Sequence, residues 1–194
     1  MESRISGAIL TGGDNKRFGG TTKSNIVIGG KPIILRIIDT IKDIFNEIII
    51  VTNTPAEFSD YLQCRIISDQ YLKAGPLGGI HAALKSSSGV AIFVIAGDMP
   101  FLNKKIILDE INEFNTAKYD ILIPRIGQNI EPLHSIYRTS VLDKLEKFMK
   151  ERKTRSVRDF LSEMNVGYLQ IRESEISKKA FTNINSPSDI SRII

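Results

Sequence analysis

Residues 90–96 read Val-Ala-Ile-Phe-Val-Ile-Ala and run straight into Gly97-Asp98-Met99-Pro100. An unbroken apolar run rich in β-branched residues, with no polar alternation, marks a strand covered on both faces. Similar runs stand at 5–10 and 47–53, with a shorter one at 64–69. Between them lie segments with helical spacing. Ile33, Ile34, Ile37, Ile38, Ile41 and Ile44 share one face of a helix expected over 32–45, and a short helix fits 79–86. Covered strands alternating with helices predict a three-layer α/β/α, Rossmann-like fold around a mostly parallel sheet. Such sheets bind ligands beyond the carboxyl ends of their strands, here after Leu10, Val51, Ile67 and Ala96.

Beyond residue 100 the pattern continues. Asn103 is suited to cap a helix reaching Phe114, and strands are expected at 120–124, 133–137 and 166–171. Helices are expected over 139–151 and 155–163, and a last one begins at Ser186-Pro187, where serine caps and proline suits the first turn. No linker or internal repeat divides the 194 residues. A single domain is expected, with the part up to about residue 100 binding a ligand and the remainder supplying the other side of the site.

Composition narrows the class. With 42% hydrophobic and 25% charged residues the chain can bury a full core, and no run of about 18 apolar residues predicts a membrane span. Met1-Glu2-Ser3-Arg4 lacks the apolar stretch of a signal peptide, and the lone Cys64 excludes an internal disulfide, so a cytoplasmic location is expected. A net charge of +4 suits a polyanionic ligand. Basic residues gather only around 147–155, where Glu146 and Glu151 interrupt them; with no Trp, neither nucleic-acid nor membrane binding is expected.

Two stretches carry the chemistry. Leu10-Thr11-Gly12-Gly13-Asp14-Asn15-Lys16-Arg17-Phe18-Gly19-Gly20-Thr21-Thr22-Lys23 follows the first strand. Its glycines let backbone amides approach phosphates, and Arg17 and Lys23 add a planar fork and a point charge. It is neither a Walker A loop nor G-x-G-x-x-G. Asp98, at the end of a buried strand, needs a cation, a cleft or hydrogen bonds to offset its burial. Since Mg²⁺ takes few carboxylates and completes its shell with phosphate oxygens and water, one Asp on the rim is enough. With only His81 and His134 in the chain, a histidine metal cluster is not expected.

These stretches, with Gly-Pro-Leu-Gly-Gly at 75–79, Glu-Pro-Leu-His-Ser-Ile-Tyr at 131–137 and Phe-Thr-Asn-Ile-Asn-Ser-Pro at 181–187, resemble the molybdenum cofactor guanylyltransferase family. That family lies within the nucleotide-diphospho-sugar transferase type of fold, and the resemblance spans nearly the whole chain. It implies transfer of GMP from GTP to the molybdenum-pterin (molybdopterin) cofactor, with Mg²⁺ as cofactor and pyrophosphate as product. Leu10, Thr11 and Gly12 would bind nucleotide through the backbone, with Gly13 continuing the loop. Arg17 and Lys23 would hold the phosphates and act in catalysis. Asn53 and Asp69 match the guanosine contacts, and Asp98 matches the metal ligand. Gly78, Gly79, His134, Asn183 and Asn185 would face the acceptor. Contact with other proteins of cofactor biosynthesis is a further expectation. Against the family pattern, Thr22 replaces an acidic residue, Gly97 a cysteine and Glu131 a glutamine. A related transferase using CTP or another phosphorylated acceptor, or a non-catalytic nucleotide-binding regulator, stays open as an alternative.

Overall fold

The computed structural model describes residues 5–12, 22–71, 74–152 and 156–191. In chain order the first half runs β1 (Ile5–Leu10), β2 (Val27–Ile28), β3 (Lys31–Pro32), α1 (Ile33–Ile41), β4 (Ile48–Val51), β5 (Arg65–Ile67), α2 (Pro76–Ser86) and β6 (Ala91–Ala96). The second half runs α3 (Lys104–Thr116), β7 (Ile121–Ile126), β8 (Asn129–Ile130), β9 (His134–Arg138), α4 (Leu142–Glu151), α5 (Val157–Leu161), β10 (Val166–Ile171), α6 (Glu175–Ala180) and α7 (Pro187–Ser191).

Among the described residues eight strands form one sheet, ordered β10-β7-β9-β6-β1-β4-β5, with β8 attached to β7. β1 pairs in parallel with β4 and β6, β4 with β5, and β7 with β10. β9 runs against both β6 and β7 and so joins the two parallel groups through an inverted strand. The predicted sheet is therefore present, and the direction of β9 is the part that the apolar pattern did not contain.

Helices cover both faces. α1 lays Ile33, Ile34, Ile37, Ile38 and Ile41, all essentially inaccessible, against Ile9 of β1, Ile50 of β4 and Phe93 of β6, with α3 contributing Ile107 and Phe114 to the same layer. α2, α4 and α5 cover the opposite face, over Ala8, Ile49, Ile92 and Val94. Neighbouring strand residues thus point into different layers, and each layer buries apolar side chains worth roughly 1.5–3 kcal/mol apiece. Asn103 caps α3 as expected, its side-chain oxygen accepting from the amides of Lys105 and Ile106 at 3.0 and 3.2 Å. No helix among the described residues is long and apolar enough to cross a membrane.

Candidate active site

A cleft of about 700 Å³ opens at the carboxyl ends of β6, β1, β4 and β5. The sheet order places the expected residues in sequence along its floor. Asp98 follows β6, Leu10 to Gly12 end β1, Asn53 follows β4 and Asp69 follows β5, and all line the cleft. Three strand spacings separate the first from the last, about 14 Å.

At one end, Lys23 sits where its ammonium meets two oxygens. Its Nζ donates to Asn185 Oδ1 at 2.9 Å and to Asp98 Oδ2 at 3.3 Å. Three distant parts of the chain converge here. Lys23 opens a 3₁₀ turn, Lys23–Asn25. Asp98 hangs from β6, whose extension is locked by the Gly97 amide donating to the Leu10 carbonyl at 2.9 Å. Asn185 is carried by a segment whose Ile184 amide donates to the Asp98 carbonyl at 2.9 Å, while Ile184 itself is fully buried. The side chains of Lys23 and Asp98 are 25% and 21% exposed, so the pair is open to the cleft.

At the other end, the Asp69 Oδ1 accepts from the Tyr71 amide at 2.7 Å, which fixes the carboxylate over the first turn of α2. Burial pushes the Asp69 carboxyl up from the ordinary aspartate value, against the pull of the Tyr71 amide and of His81. His81 is buried behind it, its ring edge-on to Tyr71 at 4.7 Å and its Nε2 3.0 Å from Glu146 Oε1.

Some expectations change. Gly13 and Arg17 lie outside the described residues. The Thr11 amide and hydroxyl both donate to the Val51 carbonyl, so Leu10 and Thr11 shape the wall while the Thr11 donors extend the sheet. Gly78 is not among the residues that line the cleft. It is buried beneath Asp69, and a Cβ there would meet the Asp69 carboxylate, with Cγ 2.8 Å away. Gly79 lines the cleft beside Leu10. His134 does not reach the cleft either: it is wholly buried, with its ring against Phe93 and Phe181. Asn183 is half-buried two residues before Asn185. Ser24 is a lining residue that the motifs did not reveal. Its hydroxyl fills the space a Cβ at Gly97 would need, so the glycine at 97 was the available signal.

The family model described as MobA-like NTP transferase domain matches residues 7–166. The chain belongs to that family. The NTP transferase is 34% identical to a probable molybdenum cofactor guanylyltransferase of Natranaerobius thermophilus, over 98% of this chain and 95% of that protein. A protein of the same printed name in Thermococcus gammatolerans is 36% identical, over 96% and 97% of the two chains. Among solved structures, molybdopterin-guanine dinucleotide biosynthesis protein A from Archaeoglobus fulgidus superposes with a TM-score of 0.79 at 28% identity, covering 97% and 96%. A 4-diphosphocytidyl-2C-methyl-D-erythritol synthase from Anaerococcus prevotii, TM-score 0.73 at 15% identity over 98% and 94%, shows the same fold.

Proposed function

We propose that this NTP transferase moves GMP from GTP to the terminal phosphate of a molybdenum-pterin acceptor and releases pyrophosphate. The observation that carries this reading is the order of side chains along the cleft, with a cation-binding carboxylate, a loop wall, Asn53 and then Asp69 on successive strands. That order matches the order of phosphates, ribose and base in a nucleoside triphosphate. The names of the full-length relatives supply the acceptor.

Asp69 would accept hydrogen bonds from the base, and a guanine edge offers amide and amino donors where the edge of cytosine differs. Asn53 stands between base and phosphates. At the other end, Asp98 and Asn185 already hold one cation, the Lys23 ammonium, between their side-chain oxygens. This hard-oxygen pair fits Mg²⁺, and Asp98 with Asn185 would hold it. Bound there, Mg²⁺ supplies neutralisation of phosphate charge. Lys23, with Arg17 from the glycine-rich loop, would hold the phosphates and offset charge in the transition state. An oxygen of the acceptor phosphate bonds to the α-phosphorus as the bond to the β-bridging oxygen breaks, and pyrophosphate leaves with the electron pair. The attacking phosphate is already anionic, so no protein base is required. We place the reaction in the cytoplasm, where GTP is supplied.

Purified protein given GTP, Mg²⁺ and the pterin acceptor is expected to release pyrophosphate at least ten times faster than with CTP. Asp98→Ala is expected to lower that rate by roughly a hundredfold while the protein stays folded. Equal turnover of CTP removes the guanine assignment, and full activity in Asp98→Ala removes the carboxylate as cation ligand.

A further inference from the structure

Behind the cleft, α3 and β9 bury a carboxyl against an imidazole. Glu110 and His134 are both 0% exposed, and Glu110 Oε1 lies 3.0 Å from His134 Nδ1. Glu110 Oε2 and His134 Nε2 have no hydrogen-bond partner among the described residues. Burying polar groups with unpaired atoms opposes folding, and replacing a buried charged pair by apolar side chains of similar volume is often neutral or stabilising. Stability is therefore a weak reason for the pair.

Its neighbours give a stronger one. The His134 ring packs edge-on against Phe181 at 4.8 Å and against Phe93 of β6 at 5.1 Å. Phe181 is the first residue of the segment that reaches Asn185. Within that segment the Ile184 amide donates to the Asp98 carbonyl, and the Asn185 side chain accepts from Lys23. The other flank of the pair is tied to the Asp98 loop as well: the Ala96 amide donates to the Leu133 carbonyl at 2.7 Å, and His134 stands in register with Ile95.

We infer that Glu110 and His134 are positioning residues, a buried pair that fixes Phe181 and thereby sets the distance between Asp98, Lys23 and Asn185. The inference rests on the proposed guanylyltransferase reading for what the arrangement does, and on geometry alone for the pair.

The double variant Glu110→Leu/His134→Phe tests it. It is expected to melt at or above the wild-type temperature and to raise the GTP KM by a smaller factor than it lowers kcat, because Asn53 and Asp69 are untouched. Its kcat is expected to fall at least tenfold. By calorimetry without substrates, its affinity for Mn²⁺ is expected to fall at least threefold. Glu110→Gln, which keeps the shape, is expected to retain more of both. A folded double variant with wild-type kcat and Mn²⁺ affinity overturns the inference. Should the double variant not fold, Glu110→Gln and His134→Gln are read by the same two quantities, and wild-type values in both singles overturn it equally. Wild-type protein that releases no pyrophosphate from GTP ends the substrate reading, while the Mn²⁺ titration still decides the pair.

Discussion

Asp69 carries opposing demands. Burial lifts its pKa, so its ionised form weighs against folding once the pH rises through the folded-state value, and any stabilisation from its protonated form is present only below that point. The base contact proposed for Asp69 needs the ionised form, since only then does the carboxylate solely accept. The GTP KM is therefore expected to rise as the pH falls through that lifted pKa. Asp69→Asn is expected to flatten this profile and raise KM at neutral pH without lowering the melting temperature. A variant that leaves the KM–pH profile unchanged would show that another group reads the base. Residue by residue, the sequence exposed what chemistry needs in the open: Lys23, Asn53, Asp69 and Asp98 all reach one cleft. It did not expose burial. A histidine after Pro-Leu reads the same whether it faces a ligand or a phenylalanine, and only the packing of α3 on β9 shows that His134 is enclosed with Glu110.

At the level of elements, the long apolar strands and the isoleucine helix were legible because period and length agree there. Helix α2 was not fully legible. It begins at Pro76 rather than 79, because proline is tolerated in a first turn while Gly78 and Gly79 hide the helical signal. The short β2, β3 and β8, and the polar α6, held in place by the Ser174–Ser177 capping box, left no apolar period to read. The glycines of α2 also serve the site, since Gly78 makes room for the Asp69 carboxylate. Gly78→Ala gains about 0.5–1 kcal/mol of helix propensity, which offsets the cost of pushing the Asp69 carboxylate aside, so its global stability is expected to change little. Its displaced carboxylate is expected to raise the GTP KM about tenfold, a binding loss of about 1.4 kcal/mol. Steady-state kinetics beside a melting curve separate the two effects, and an unchanged KM would show that Asp69 moves aside without consequence.

For the molecule as a whole, a ligand that binds only the folded state raises its stability by mass action. At a hundredfold excess over Kd, GTP with Mg²⁺ is expected to add about 2.7 kcal/mol, a melting shift of roughly 5–11 °C for a chain of this size. CTP at the same concentration is expected to shift it much less, and equal shifts would show a cleft indifferent to the base. Overall architecture followed from the sequence, but the inverted β9 did not, because strand direction is set by how distant segments close together. That inversion bears on how the protein is made. β6 is apolar and buried at every position, and until β9 arrives one of its edges has no neighbour. Residues 97 to 138 must leave the ribosome first, a wait of about two to eight seconds at ordinary elongation rates. During that interval the nascent chain presents a sticky, ready-made template to any other strand, so a chain that stalls before residue 134 is poised to aggregate.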